Sequence, residues 1–392
     1  MAGAARCSAP VGIRVTGTGR SPRPCAHPDE RPCSAMRTRL SPAPVDALNR
    51  RALWLITAAF AVIAQTLFLI GGSTAPARAA FDPAGADFWV DSSMGPIKSR
   101  VFRAADGNTS RVVYALDGMR AREDLSGWEI DTDIAREFTK WNINVVMPVG
   151  GQSSFYTDWN APSSFLGVAP GSGSAAGSAS GSSSGSGGLQ ALSGGPGKSY
   201  TYKWETFLTR ELPAALRDRL GFATQRNGVF GLSMGGSAAL TLAGDHPGQF
   251  SFAGSYSGYL NISAPGMREA IRVAMIDAGG YNVDSMAAPW DPKWLRIDPF
   301  VAAPRLVANN TRLWVSAASG LPTATDSPSI TTVNGMGLEA LALVNTRAFQ
   351  IRMATLGAQN VHYDFPAYGI HAWNNWADQA LRMLPDLSAN IG

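Results

Sequence analysis

The chain has 392 residues, 45% of them hydrophobic and 16% charged, which is long enough for one large α/β domain or two ordinary ones. Of its 33 basic residues, 10 lie in residues 1–80 together with 3 of its 29 acidic residues, so the remainder carries a net charge of about −3. Because that remainder has no basic patch, the composition argues against a nucleic-acid partner.

The start of the chain has the layout of an export leader. Residues 1–51 are basic and rich in Pro and Ser, which predicts disorder, and they end in two arginines. An apolar run over 52–70 and a stretch of small residues ending at Ala79-Ala80 follow. This order predicts a signal peptide cleaved near Ala79-Ala80, and therefore a secreted or cell-envelope protein. The alternative is a signal anchor, since an uncleaved run of about 19 apolar residues can span a bilayer.

Cysteine and histidine are too sparse for a metal site. All three cysteines (Cys7, Cys25 and Cys33) precede the apolar run, so the exported chain would contain no disulfide and no cysteine ligand. The three histidines that remain are widely separated. We therefore expect neither a metal nor a cofactor.

Residues 81–392 are predicted to form a single α/β-hydrolase domain, with a mostly parallel central sheet flanked by helices. Predicted strands alternate with predicted helices. The strands are Ile97–Arg103, Arg111–Leu116, Ile143–Met147, Gly228–Phe230, Phe252–Tyr256, Leu313–Ala317 and Val361–Phe365. The helices are Thr132–Trp141, Trp204–Leu220, Ser237–Gly244, Gly337–Leu356 and Trp373–Leu384. The turn signal Asp106-Gly107-Asn108 predicts that the first two strands are neighbours in the sheet.

One segment inside this domain has no periodicity. Residues 171–197 are almost wholly Gly, Ser and Ala and offer nothing to bury. The segment is predicted to be a flexible surface insertion and not a boundary between domains.

The pentapeptide from Gly231 to Gly235 has the G-x-S-x-G pattern of a nucleophile elbow, with Ser233 at its centre. It lies between a predicted strand and a predicted helix, which is the context that the motif requires. The turn is so tight that small residues are needed two positions before and after the serine. Ser233 is therefore the candidate nucleophile, and the backbone N–H of Met234 is the candidate oxyanion donor.

A serine nucleophile also needs a base and an acid, which in this fold follow it in the order acid, then histidine. His371 lies on a loop before the last predicted helix, where the base is expected, whereas His246 and His362 are interpreted as structural. For the acid, spacing alone leaves Asp326 and Glu339 open and slightly favours Asp326. The loop after an early strand places Met119 as the second oxyanion donor.

Several stretches resemble the antigen 85 family of secreted mycolyltransferases. They are Tyr114–Ala121, Val146–Trp159, Tyr202–Thr209, Gly231–Met234, Asp277–Tyr281, Leu306–Val315 and Asp364–Pro366. The resemblance runs from about Phe88 to the C-terminus, interrupted by the insertion and by residues near 318–335. It implies transfer of a mycolyl group from trehalose monomycolate, through an acyl-serine, to a second trehalose monomycolate or to a hydroxyl of cell-wall arabinogalactan. It also implies that Glu339, and not Asp326, is the acid beside His371.

The same resemblance implies a trehalose-binding set of residues and the partners that go with it. The set is Asp117, Met119, Arg120, Asn261, Ala372 and Trp373. Trehalose mono- and dimycolate are the implied ligands, with no obligate protein partner. Asn261 stands where the family usually has Asp, so sugar contacts are expected to differ in detail. The segment Ala135–Lys140 replaces the family's aromatic fibronectin-binding segment, which argues against fibronectin binding.

Two other functions remain as alternatives. The first is a secreted carboxylesterase, or an acyltransferase with a different acceptor, which would use the same three residues. The second is a non-catalytic envelope protein that binds carbohydrate. The presence of Ser233, Glu339 and His371 together argues against the second alternative.

Overall fold

A computed structural model describes residues 82–163 and 200–392 of the chain. The predicted leader, the signal peptide with its cleavage site, the three cysteines and the Gly/Ser-rich insertion at 171–197 lie outside the described residues. The division of the chain into leader, signal peptide and a single domain therefore stays a prediction.

An eight-stranded sheet forms the centre of the described residues. Its strands are β1 (Ala86–Ser92), β2 (Gly95–Phe102), β3 (Val112–Leu116), β4 (Asn144–Pro148), β5 (Asn227–Leu232), β6 (Phe250–Tyr256), β7 (Arg312–Ser316) and β8 (Val361–Asp364). They lie in the order β1-β2-β4-β3-β5-β6-β7-β8. The pairs β1·β2 and β2·β4 are antiparallel, and every pair from β4 to β8 is parallel. The predicted mostly parallel sheet is confirmed.

The prediction that the strands Ile97–Arg103 and Arg111–Leu116 are neighbours in the sheet was wrong. They correspond to β2 and β3. The chain does turn at Gly107, whose N–H bonds to Ala104 O, but β4 lies between β2 and β3 and pairs with both. Every residue of β4 is buried, and a strand buried on both faces belongs inside the sheet. A turn signal indicates a local reversal of the chain. It does not indicate whether a strand from later in the sequence will lie between the two strands that the turn joins.

Helices cover both faces of this sheet. They are α1 (Gly127–Ile130), α2 (Ile134–Lys140), α3 (Trp204–Thr206), α4 (Leu212–Leu220), α5 (Met234–Asp245), α6 (Met267–Gly279), α7 (Val283–Met286), α8 (Lys293–Arg296), α9 (Pro299–Ala308), α10 (Ile330–Thr355) and α11 (Trp373–Asn390). A π-helical turn, Phe207–Glu211, joins α3 to α4. Within residues 82–163 and 200–392, no helix combines the length and apolarity needed to cross a membrane.

Successive residues of the central strands divide between two apolar layers. In β3, Val112 and Tyr114 belong to the layer that α4 and α5 cover, whereas Val113 and Ala115 belong to the layer that α2 and α11 cover. Because both faces are buried, these strands show no alternation of apolar and polar residues. The ends of these rigid strands then provide fixed positions for a site.

Helix α10 begins seven residues before its predicted start at Gly337. Ser329 caps it by accepting a hydrogen bond from Thr332 N–H at 3.1 Å. The first turn contains β-branched residues and is followed by Gly335 and Gly337. Because all of these residues lower helix propensity, the sequence predicted a later start. The early start matters because Gly335 O accepts the backbone N–H of His371.

Candidate active site

Ser233 lies at a sharp turn between β5 and α5. Its backbone has φ = +51° and ψ = −120°, a conformation that residues with a side chain rarely adopt. The flanking glycines make the turn sterically feasible. A Cβ on Gly231 would lie 2.5 Å from Gly235 C, and a Cβ on Gly235 would lie 2.4 Å from Asp117 O. The geometry is that of the predicted nucleophile elbow.

We expect Gly235→Ala to destabilise the protein by about 1–3 kcal/mol or more, because the new methyl group would collide with backbone that cannot move freely. Gly337→Ala is the matched control. Gly337 is exposed in α10 and a Cβ there would meet nothing within 4 Å, so the substitution should stabilise the helix by about 0.5–1 kcal/mol. Urea unfolding of both variants tests this contrast, and equal effects would contradict it.

The candidate oxyanion donors are carried by two elements that meet at Ser233, the start of α5 and the loop after β3. Met234 is the first residue of α5, so its N–H has no acceptor within the helix. Gly118, on the loop after β3, packs against the elbow: a Cβ there would lie 2.6 Å from Leu232 Cδ1 and 3.7 Å from Ser233 Cβ. The structure thus brings the loop that carries Met119 against the candidate nucleophile, as the predicted oxyanion site requires.

Glu339 and His371 meet in the interior. Glu339, on α10, is completely buried, and its Oε2 lies 3.0 Å from His371 Nδ1. Its Oε1 accepts hydrogen bonds from Ser257 Oγ at 2.8 Å, Ala318 N–H at 2.7 Å and Asn375 Nδ2 at 3.3 Å. A buried carboxylate with four donors is well compensated for the loss of water. It can hold the histidine ring with Nε2 free to act as a base.

The end of β6 connects this pair to Ser233, the candidate nucleophile. Tyr256 O accepts the backbone N–H of Ser233 at 2.8 Å, and the next residue, Ser257, donates its hydroxyl to Glu339. The ring of Tyr259 lies 6.1 Å from that of His371. One strand end therefore contacts both the elbow and the acid.

The other histidines and the other candidate acid lie elsewhere. His246 ends α5 and pairs with Glu205 at 3.0 Å, while His362 stacks on Trp314 with 3.9 Å between the ring centroids. Asp326 accepts hydrogen bonds from Thr323 in its own loop, both at 2.7 Å. Within residues 82–163 and 200–392, no group of three or more His, Cys, Asp or Glu side chains could hold a metal ion.

The structure brings Asp117 and Trp373 together next to the elbow. Both approach Gly127 so closely that a Cβ there would lie 2.2 Å from the Trp373 ring and 3.2 Å from Asp117 Oδ1. Asp117 Oδ2 accepts the Gly127 N–H at 3.1 Å, whereas Oδ1 is buried without a hydrogen-bond partner among the described residues. Two of the predicted sugar-binding residues therefore lie against the same backbone position.

The remaining predicted sugar-binding residues are less closely associated with the elbow than Asp117 and Trp373 are. Arg120 is mostly exposed and forms an ion pair with Asp277 on α6, a type of pair worth only about 0–1 kcal/mol. Ala372 precedes α11 and follows His371 directly. Asn261 lies after β6, and its side chain makes no hydrogen bond to any other described residue.

Asp117 should make stability depend on pH. Its burial raises its pKa to about 7, although hydrogen bonds such as that from Gly127 N–H act in the opposite direction. Between about pH 4 and pH 7 the unfolded chain ionises this carboxyl while the folded chain keeps it protonated, so the free energy of unfolding falls as pH rises. Asp117→Asn should lack this fall and gain up to roughly 4 kcal/mol relative to wild type between pH 4 and pH 8. Urea unfolding at the two pH values tests this, and identical pH dependence would contradict it.

Sequence reasoning missed the residues that hold Glu339. Ser257 donates to the carboxylate and accepts from Trp376 Nε1 at 2.9 Å, and the Trp376 ring packs edge-on against His371 with 4.9 Å between centroids. Asn375 adds a further donor. The one available signal was the position of Ser257 directly after a strand that neighbours the elbow strand.

Comparison with known proteins decides the family. The "Esterase" family model matches residues 187–387. The diacylglycerol acyltransferase/mycolyltransferase Ag85C of Mycobacterium avium is 39% identical over 319 residues, which cover 81% of each chain. The chain belongs to the antigen 85 family of acyltransferases. The predicted family, α/β-hydrolase fold and enzyme class are therefore confirmed.

Solved structures agree with this assignment. The crystal structure of Mycobacterium tuberculosis MPT51 is 30% identical, with a TM-score of 0.62 over 79% of this chain and 100% of that chain. An S-formylglutathione hydrolase from Agrobacterium tumefaciens is 13% identical, with a TM-score of 0.52 over 80% of this chain and 98% of that chain. The second likeness shows the shared fold alone. The Ser233 elbow and the Glu339–His371 pair are the parts of this antigen 85 family member whose chemical roles need explanation.

Proposed function

We propose that this antigen 85 family member transfers a mycolyl group from trehalose monomycolate to a second trehalose monomycolate or to a hydroxyl of cell-wall arabinogalactan. The observation that carries the proposal is the hydrogen-bonded pair Glu339–His371, which the end of β6 connects to the strained Ser233 elbow. The named relative from M. avium is a mycolyltransferase, which supports the choice of acyl group.

The first half of the reaction forms an acyl-serine. Ser233 Oγ attacks the ester carbonyl while His371 Nε2 takes the hydroxyl proton, and Glu339 stabilises the resulting imidazolium. The N–H groups of Met119 and Met234 bind the oxyanion. When the tetrahedral intermediate collapses, the C–O bond to trehalose breaks and His371 returns its proton to the leaving oxygen.

The second half repeats these steps with a new nucleophile. A sugar hydroxyl attacks the acyl-serine and His371 accepts its proton. When this intermediate collapses, the C–O bond to Ser233 breaks, His371 returns the proton to Ser233 Oγ, and the new ester is released. Asp117 and Trp373 are proposed to bind the sugar, the ring providing a flat apolar surface and the carboxyl a hydrogen bond. With a pKa near neutrality, Asp117 can serve as donor or as acceptor to a hydroxyl. Arg120, Asn261 and Ala372 are proposed to complete the contacts.

The product formed by the purified protein from trehalose monomycolate tests this function. Trehalose dimycolate with free trehalose is the expected result. Free mycolic acid as the main product would instead support the alternative, a carboxylesterase. Absence of both products, with Ser233 unreactive, would support a carbohydrate-binding protein without turnover.

Secretion is part of the same proposal. An acceptor in the cell envelope requires export, and the leader pattern before Ala79-Ala80 supports it. N-terminal sequencing of the protein from culture medium should begin at or near Phe81. A membrane-bound protein that retains residues 52–70 would instead support the signal anchor.

A further inference from the structure

The segment after β4 has an unusual backbone. Ser153, Phe155 and Tyr156 have positive φ angles of +57°, +51° and +46°. All three residues are buried, so surrounding packing must maintain this conformation. Residues kept in such disfavoured regions tend to cluster at active sites. The contacts of this segment indicate what the conformation is for.

Three hydrogen bonds join the segment to the elements that carry the candidate oxyanion donors. Tyr156 Oη accepts the backbone N–H of Asp117 at 2.9 Å. Ser153 N–H donates to Met119 O at 3.0 Å. Phe155 N–H donates to the sulfur of Met234 at 3.1 Å. Each of the three residues with positive φ thus makes one of these bonds.

The positions of the bonds are specific. The bond to Asp117 N–H and the bond to Met119 O lie on either side of the Gly118–Met119 peptide, which carries the Met119 N–H. That peptide is therefore held from both ends, while the third bond holds the side chain of Met234. Positive φ at Phe155 and Tyr156 lets consecutive residues direct a backbone N–H to Met234 and a side-chain hydroxyl to Asp117.

We propose that Tyr156 is a positioning residue, which fixes the orientation of the Met119 N–H through its bond to Asp117 N–H. The inference rests on the proposed acyl transfer through Ser233. Tyr156 touches no reacting atom. Without its hydroxyl, the Asp117 N–H would be left buried and unpaired, and the loop would shift to satisfy it. A donor displaced from the oxyanion stabilises the transition state less, while ground-state binding is little affected.

The test uses Tyr156→Phe with p-nitrophenyl butyrate, an ester that contains no sugar. The variant keeps the ring, which packs edge-on against Trp204 with 5.5 Å between centroids. We expect kcat to fall about 10- to 100-fold while KM stays within about twofold, because only the oxyanion contact is misaligned. A merely structural role would reduce the folded fraction. It would leave kcat unchanged when kcat is normalised to the amount of Ser233 that reacts with a fluorophosphonate probe.

Tyr114→Phe is the matched control. Tyr114 is a buried tyrosine on β3 whose hydroxyl bonds to no backbone group of the described residues, and its removal should leave kcat within about twofold. A folded Tyr156→Phe protein with wild-type kcat would overturn the inference, as would a rise in KM alone.

A second variant keeps the proposal testable if Tyr156→Phe does not fold. Replacing Tyr156 with 3-fluorotyrosine keeps the ring and the hydroxyl but makes the oxygen a weaker acceptor for the Asp117 N–H. A fall in kcat without a change in KM supports positioning by this segment, and an unchanged kcat overturns it. Failure of the proposed function is distinguishable, since a wild-type protein that cleaves the simple ester but transfers no mycolate refutes only the proposed acceptor.

Discussion

Replacing Ser233 with alanine is expected to lower kcat for acyl transfer by about 10⁶-fold, because no other group can form the acyl intermediate. Alanine experiences much the same backbone strain at φ = +51° as serine does, so the variant should fold normally. A fluorophosphonate probe should label the wild-type protein and leave Ser233→Ala unlabelled. Circular dichroism verifies that the variant is folded.

Ser251→Ala is the control for this experiment. Ser251 lies near the start of β6, where its hydroxyl donates to Asn390 O at 2.8 Å, whereas the elbow adjoins the other end of that strand. Its loss should leave both labelling and turnover unchanged. Equal labelling of Ser233→Ala and the wild-type protein would show that the nucleophile is a different residue.

Replacing Glu339 with glutamine is expected to lower kcat by about 10³- to 10⁴-fold. Three donors converge on Oε1, from Ser257, Ala318 and Asn375, so the amide oxygen should occupy that position. The amide NH₂ would then face His371 Nδ1, which must accept a hydrogen bond. The proton of the neutral ring would move to Nε2, and the ring could no longer take the proton of Ser233.

Asp326→Asn separates the two acids that spacing alone left open. Because Asp326 accepts hydrogen bonds from Thr323 in its own loop and makes none to His371, we expect kcat to stay within about twofold of wild type. Steady-state kinetics on the same ester substrate compares the two variants directly. A large loss in Asp326→Asn together with a small loss in Glu339→Gln would reverse the proposed assignment.

The site was predictable from sequence only where its geometry is local. Glycine is required at Gly231 and Gly235 because a Cβ at either position would lie 2.4–2.9 Å from backbone atoms of the turn or of the adjacent loop. The motif therefore identifies the elbow. By contrast, Glu339 lies 32 residues before His371 along the chain, and nothing in the residues between them specifies that they meet. The resemblance to the antigen 85 family supplied that pair before the structure placed the two side chains together.

The sequence by itself determined much of the alternation of strands and helices, though not β1, α6 or α9, together with the elbow and the histidine that follows the last strand. Short-range sterics and apolar runs specify these features. Only the tertiary structure decided that β4 separates β2 from β3, that the end of β6 contacts both Ser233 and Glu339, and that Tyr156 accepts from Asp117. These features depend on which buried strands become neighbours. Packing of the whole sheet determines which strands become neighbours, and a local sequence pattern does not specify it.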